Sequence, residues 1–396
     1  MNTIDIKKTD KIKIASTYAR HDMAASSGKG ARCYDTDGKE YIDFTAGIGV
    51  NSLGYCDEGW IKAVTEQLNK LQHCSNLYYT EPQSKVAEML TSRTGMQKVY
   101  FANSGAEANE TVIKAARKYG CTIKGIESDR GKIITLKNSF HGRTLGAMTA
   151  TGQPNYHEGF GPLPAGFRYC EANNIEQLEE LADGDTCAVM MELVQGEGGV
   201  RQLDRDFVEA AAELCRKRDI LLIIDEVQTG IGRTGKLFSY EYFGIETDMV
   251  TFAKGIGGGL PMGGVLFGDK TCDVLQPGNH GTTYGGNPVA CAGAVEVLTR
   301  IDERFLEEVR EKSSYLKGRL LEIPGVSEVS GLGLMLGVTL DTKPAADFVK
   351  EALAMGLMTL TAKEKVRLLP PLTITYEEID KGLEIFRKVC LQPGKK

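Results

Sequence analysis

The sequence predicts an α/β protein: a large unit built on a mainly parallel sheet, joined to a smaller α+β unit. Strand-like apolar runs alternate with helical stretches through the middle of the 396-residue chain. Several of those runs are continuously apolar, as strands covered on both faces are. After Pro288 the pattern changes to charged helices and short strands.

The elements follow in order. Residues 31–34 and 41–44 flank a turn at 35–38 and pair as neighbouring strands. Residues 98–103 (KVYFAN) form a short strand, and 105–118 a helix with Ala108, Val112, Ala115 and Ala116 on one side. Residues 132–136 (KIITL) are a strand, and 187–194 (CAVMMELV) a continuous apolar one. An amphipathic helix over 205–218 leads to a strand over 220–225, and a further strand covers 249–253. Helices follow over 289–300 and 305–321. Pro324-Gly325 marks a turn, 326–329 and 331–338 are small strands, and helices over 345–355 and 376–389 complete the chain. The large unit is expected over 51–295, and the smaller one from 1–50 together with 296–396.

Composition narrows the function classes. Hydrophobic residues at 42% and charged residues at 25% are ordinary for a globular protein. A net charge of −6 disfavours nucleic acid as a main partner, since phosphate neutralisation needs a basic surface. Ten cysteines without a CxxC pair or Cys/His cluster read as reduced thiols, and no metal site is expected. The first 13 residues lack the apolar core of a leader, and no run is long enough for a membrane span. These features predict a cytoplasmic protein with no membrane partner.

Chemistry concentrates where strand-like runs end. Asp225 closes Leu221-Leu222-Ile223-Ile224, and Lys254 follows Met249-Val250-Thr251-Phe252-Ala253. In a parallel sheet both groups face one crevice. A lysine that bonds the aldehyde of pyridoxal phosphate needs a carboxylate to keep the cofactor's ring nitrogen protonated. Taken singly, a surface lysine and a capping aspartate explain these residues equally well. Ser104, Gly105 and Ala106 open a helix and offer backbone N–H groups to an anion, where the plainer reading is a simple serine cap. Phe140 could stack on a planar cofactor and Arg143 could clamp a carboxylate; alone, they read as a core ring and a solvated arginine. His141 between them reads as structural, or as a support behind a residue that meets the ligand. Glu197 lies in a glycine-rich turn, and Arg367 on a stiff segment before Pro370-Pro371 is its candidate partner; the plainer readings are a turn carboxylate and an edge-strand arginine reaching solvent. Gln228 follows Asp225 closely, and Thr282 and Thr283 sit in a polar loop.

As a set, Ser104-Gly105-Ala106-Glu107-Ala108-Asn109, Phe140-His141-Gly142-Arg143, Gln195-Gly196-Glu197-Gly198-Gly199, Asp225-Glu226-Val227-Gln228-Thr229-Gly230, Lys254-Gly255 and Gly281-Thr282-Thr283-Tyr284-Gly285-Gly286-Asn287-Pro288 resemble the class III (ω-type) pyridoxal-phosphate aminotransferases. The resemblance spans about residues 38–387. Residues 44–51 and 75–79 look most like members acting on acetylornithine, while members acting on ornithine, succinylornithine and 4-aminobutyrate share the scaffold.

The resemblance implies a fold-type-I transferase with a mainly parallel, seven-stranded-type sheet. It implies a homodimer with the active site at the subunit interface, and small amino-acid substrates with 2-oxoglutarate as acceptor. Lys254 then carries the cofactor and moves protons, Asp225 holds the ring nitrogen, and Gln228 meets the phenolic oxygen. Phe140 stacks on the ring and Val227 also contacts the cofactor. Ser104, Gly105 and Ala106 hold the phosphate, joined by Thr283 of the partner subunit, and Thr282 touches substrate. Arg143 grips the donor's α-carboxylate, Arg367 takes that of glutamate, and Glu197 masks Arg367 meanwhile.

Overall fold

The computed structural model describes residues 2–392. Its central feature is a seven-stranded sheet. Across it the strands run Lys98–Ala102, Gly263–Phe267, Met249–Phe252, Leu221–Asp225, Thr186–Met191, Lys132–Leu136 and Phe167–Cys170. Neighbours from Met249–Phe252 onward are parallel. Gly263–Phe267 is antiparallel to both strands beside it. The sheet is mainly parallel, as the apolar runs predict.

Both faces of the sheet are buried, and alternate residues divide between them. Ile133, Met190, Leu221 and Ile223 pack with Ala108, Val112, Ala115 and Ala116 of the helix Gly105–Thr122. Ile134, Met191, Leu222 and Ile224 pack on the other side with Phe207, Ala211 and Leu214 of the helix Arg205–Lys217. This division explains why the strands read as unbroken apolar runs.

Two strands differ from their expectations: residues 331–338 are split by a turn at Gly333-Leu334 between Val326–Leu332 and Met335–Leu340, and a second run is interrupted as well. The run over 187–194 is not continuous: the strand Thr186–Met191 ends there, and Val194–Gln195 pairs separately with Arg201–Gln202. Glu192 lies at the break, buried, with its carboxylate accepting the Phe140 N–H at 2.9 Å. Both stretches are buried, so hydrophobicity alone cannot mark the bend. Helices over Thr3–Lys13, Glu58–Leu68, Glu81–Thr94, Leu145–Ala150 and Ile175–Leu181 add to those expected.

Two four-stranded sheets accompany the central one. Val326–Leu332, Met335–Leu340, Lys365–Leu368 and Leu360–Ala362 form an antiparallel sheet. Ala25–Lys29, Arg32–Asp35 and Glu40–Asp43 form another, joined in parallel by Leu357–Met358. Ala31, Ile42 and Phe44 share a core with Leu316, Leu336, Phe348, Leu383 and Phe386. Among the described residues, no helix is long and apolar enough to cross a membrane.

Phe44 is wholly buried, and its carbonyl accepts the Leu369 N–H at 2.7 Å, tying this core to the segment after Arg367. Truncating the ring removes its contacts and leaves a cavity, at a cost of about 3–5 kcal/mol. Phe44→Ala is expected to lower the urea midpoint of unfolding markedly. An unchanged midpoint would show that the ring is not part of the core.

Candidate active site

The carboxyl ends of the parallel strands open on a cavity of about 450 Å³. Ser104, Gly105, Ala106, Phe140, Arg143, Asp225, Val227, Gln228 and Lys254 all line it. The helix Gly105–Thr122 begins at its edge, with the Ser104 hydroxyl accepting the Glu107 N–H at 3.2 Å. The Gly105 and Ala106 amides, in the first turn, have no intrahelical acceptor and suit an anion. A side chain at position 105 would meet Val227 Cγ1 at 2.5 Å, so only glycine lets the loop after Asp225 pack on this helix start.

Asp225 ends the central strand and is buried. Its Oδ1 accepts the Val227 N–H at 3.0 Å. Its Oδ2 accepts Asn109 Nδ2–H at 2.8 Å and lies 2.7 Å from His141 Nδ1. Burial works to raise the Asp225 carboxyl, yet the hydrogen bond and charge of His141, with the Val227 and Asn109 donors, hold it below the usual range. Burial likewise works to lower the His141 imidazole, and Asp225 raises it above its ordinary value. His141 Nε2 is buried without a partner. His141 is thus a direct companion of Asp225, the supporting role that the sequence leaves open beside a purely structural one.

Lys254 opens a short turn, Lys254–Gly257, with φ +48°, in the left-handed region. Such backbone is costly for a residue with a side chain and tends to occur at functional sites. Burial pushes the Lys254 ammonium down, against the opposing charges of Asp225 and Glu197. Ser52 Oγ donates to the Gly255 carbonyl at 2.7 Å and steadies the turn.

Phe140 sits at the cavity wall with Tyr156 edge-on at 5.6 Å. The exposed Arg143 guanidinium lies 4.2 Å from the Tyr156 ring centre and 5.6 Å from that of Phe140. Arg367 is buried, and its Nη1 donates to Glu197 Oε1 at 2.6 Å and to Gln228 Oε1 at 3.2 Å. Gln228 therefore joins the Glu197–Arg367 pair to the cavity wall, while Arg367 Nε has no partner. Thr282 Oγ1 accepts Asn103 Nδ2–H at 3.2 Å, at the cavity's edge. Thr283 is exposed and does not line the cavity.

Sequence reasoning gives no role to Asn109, Tyr156 or Glu192. Asn109 carries a legible signal, because it lies one helical turn after Gly105 on the same face. Tyr156 carries none. Burial pushes the Glu192 carboxyl up to about 7, opposed by the His141 charge. Among the described residues no cluster of three His, Cys, Asp or Glu side chains is set to hold a metal ion.

The cavity thus offers an ionised carboxylate, an aromatic wall, a buried amine and free helix-start amides. These residues fit pyridoxal phosphate, whose ring nitrogen, flat ring, aldehyde and phosphate each meet a suitable group. Residues 14–390 match the family described as Aminotransferase class-III. The chain belongs to the class III aminotransferases, which are pyridoxal-phosphate-dependent enzymes. An acetylornithine aminotransferase of Haemophilus ducreyi is 49% identical over 391 residues, covering 98% of this chain and 99% of that protein. One of Caldanaerobacter subterraneus is 47% identical over 386 residues, covering 96% and 98%. The structure of ornithine aminotransferase from Toxoplasma gondii ME49 aligns with TM-score 0.94 and 32% identity, over 99% of this chain and 95% of that one. N-acetylornithine aminotransferase from Stenotrophomonas maltophilia K279a aligns with TM-score 0.83 and 38% identity, over 94% and 97%.

Glu226, next to Asp225, points away from this chemistry. Its carboxylate accepts the Thr229 hydroxyl, Ser239 Oγ–H at 2.7 Å and the Tyr240 N–H at 2.9 Å. Burial nevertheless pushes its carboxyl up to about 7. Below the ordinary glutamate value of about 4.3 both folded and unfolded states hold the proton. As pH rises from there to about 7 only the folded state keeps it, so stability falls through that window. Glu226→Gln preserves the shape and can still serve the three partners. It is expected to flatten the fall in urea midpoint between about pH 4 and pH 7. An equally steep fall in the variant would assign the proton elsewhere.

Proposed function

We propose that the chain transfers the terminal amino group of N2-acetyl-L-ornithine to 2-oxoglutarate, giving N-acetyl-L-glutamate 5-semialdehyde and L-glutamate. The observation that carries this reading is a division between two arginines. Arg367 is paired with Glu197 at 2.6 Å, while Arg143 at the cavity wall has no carboxylate partner among the described residues. A donor with one carboxylate needs one free guanidinium, and a five-carbon dicarboxylate needs two. Arg143 takes the donor's α-carboxylate, which leaves the far amine toward Lys254. For glutamate and 2-oxoglutarate, Arg143 takes the γ-carboxylate and Arg367 the α-carboxylate. Releasing Glu197 then exchanges one carboxylate on Arg367 for another, so the change costs little.

Pyridoxal phosphate supplies an aldehyde that takes up amino groups and a ring that draws electrons from the reacting carbon. Ser104, Gly105 and Ala106 hold its phosphate. Phe140 and Val227 hold the ring, Gln228 its phenolic oxygen, and Asp225 keeps its nitrogen protonated. Lys254 would hold the aldehyde carbon and, as a free amine, would move the proton at the substrate's terminal amino carbon; the lowering of its ammonium by burial favours that neutral form.

A second copy of the chain completes the site. Leu77, Tyr78 and Tyr284 are 85%, 67% and 62% exposed, a large apolar surface for an unpaired protein. Asn76 Nδ2 donates to the Gly285 carbonyl at 2.8 Å, which binds this patch to the loop of Thr282 and Thr283. In the dimer, Thr283 reaches the other subunit's phosphate and Thr282 its substrate. The unit 51–295 carries the cofactor, while 1–50 supplies Val50 to the cavity wall and 296–396 supplies Arg367 beside Gln228. Free thiols at all ten cysteines accord with a cytoplasmic location.

A donor with an unacylated amine, such as ornithine, is the second reading, and the T. gondii structural match favours it. The higher identity of the acetylornithine relatives outweighs that match. The deciding experiment mixes the pyridoxal form, without acceptor, with N2-acetylornithine, ornithine or 4-aminobutyrate. Rapid loss of the lysine-bound cofactor's absorbance band is expected with acetylornithine. Equal or faster loss with either other amine would overturn the donor assignment.

Masking of Arg367 has its own test. Glu197→Gln frees Arg367, so the kcat/KM ratio of acetylornithine to glutamate is expected to fall about tenfold. A ratio matching that of the unaltered enzyme would end the masking idea.

A further inference from the structure

The run Gly230-Ile231-Gly232-Arg233-Thr234-Gly235 lies just beyond Gln228, and the reaction described above does not use it. Arg233 is 2% exposed, yet its side chain bonds only backbone carbonyls among the described residues. A buried cation without a carboxylate is costly, so it marks a place where the held backbone matters. Burial pushes the Arg233 guanidinium down, with only the charge of Asp43 opposing.

The two carbonyls show what is held. Arg233 Nη1 donates to Leu334 O at 3.0 Å and to Pro370 O at 2.5 Å. Leu334 precedes the strand Met335–Leu340, and Pro370 follows the strand Lys365–Leu368. These strands pair antiparallel, Leu336 opposite Leu368 and Gly337 opposite Arg367. Continuing that register brings Leu334 opposite Pro370, where the ladder has ended. One guanidinium therefore closes the strand pair at the end that carries Arg367.

Backbone contacts reinforce the clasp. The Leu334 N–H donates to the Arg233 carbonyl at 3.0 Å. Gly333 has φ +57°, and a side chain there would meet the Thr234 backbone at 2.4 Å. The Leu369 N–H donates to Phe44 O at 2.7 Å and the Leu372 N–H to Ser52 O at 2.8 Å. Ser52 in turn bonds the carbonyl that follows Lys254.

We propose that Arg233 is a positioning residue for Arg367. It fixes the strand pair against the loop of Asp225 and Gln228, so that Arg367 exchanges Glu197 for a substrate carboxylate without its strand moving. The proposal rests on the reading of Arg367 as a dicarboxylate site. It gives Arg233 an effect on one half-reaction and not the other.

The test uses holoenzyme carrying Arg233→Gln, Arg233→Lys or Arg367→Gln. Half-reactions with glutamate and with acetylornithine are followed, and binding of glutarate, an unreactive five-carbon dicarboxylate, is measured by calorimetry. For Arg233→Gln, the glutamate KM and the glutarate Kd are expected to rise about tenfold, and the acetylornithine kcat/KM to change less than about threefold. Arg233→Lys, which keeps the charge and a donor, is expected to recover part of the loss. Equal losses in both half-reactions, or unchanged glutarate binding, would overturn the proposal. If Arg367→Gln also leaves glutarate binding intact, the Arg367 reading fails first; if it weakens binding and Arg233→Gln does not, only the Arg233 proposal fails. Should the Arg233 variants not fold, hydrogen exchange on the unaltered holoenzyme decides. Protection of the Leu334, Leu369 and Leu372 amides comparable to the Leu221–Asp225 strand supports the clasp, and exchange at exposed-loop rates overturns it.

Discussion

An ionised carboxylate at the buried end of a parallel strand is the constraint on which the site depends. Asp225 follows Ile223 and Ile224, both wholly buried, in a setting where an unpaired charge is unaffordable. Its partners come from separate parts of the chain. Asn109 comes from the helix Gly105–Thr122, His141 from the loop after Lys132–Leu136, and the Val227 amide from the loop of Asp225 itself. Each partner carries a neighbour into the cavity: Gly105 lies one turn before Asn109, and Phe140 adjoins His141. Satisfying one charge thus arranges the anion-binding turn, the aromatic wall and the carboxylate together.

The other buried charges around the cavity follow the same logic of local neutrality. His141 is pushed toward its charged form by Asp225, and Glu192 toward its neutral form by burial. Lys254 is pushed toward the free amine, and Glu197 and Arg367 neutralise each other. In a low-dielectric pocket such pairing keeps the buried groups close to neutral, while the exposed Arg143 at the wall is the cation left without a carboxylate partner among the described residues.

Much of this was legible because parallel strands covered on both faces leave unbroken apolar runs, and their ends stand out as glycine-rich polar motifs. Asp225, Lys254, Phe140 and Ser104 stand at or just beyond such ends, and all line one cavity. The illegible parts have physical reasons. The bend after Met191 is hidden because Leu193 and Val194 stay buried beyond it. The helix Glu81–Thr94 buries only Val86 and Leu90, too thin a stripe to show a period. His141 gives no hint of its partner, since Asp225 is distant in sequence. Arg233 sits among glycines, a context that reads as a solvated loop until Leu334 and Pro370 are seen against it.

The reversed strand Gly263–Phe267 bears on the order in which the chain can be assembled. Lys98–Ala102 lies at the sheet's edge and pairs with that strand alone, Lys98 opposite Phe267. The helix start at Ser104 hangs directly from Lys98–Ala102. A chain emerging from the ribosome has therefore made this strand long before its ladder partner exists, and contacts of such separation form late. Until residue 267 is out, Phe101 and Ala102 have no sheet to join. The strand that follows Lys254 is also the one that docks the Ser104 turn, so the two ends of the cofactor cavity come together in a single late step.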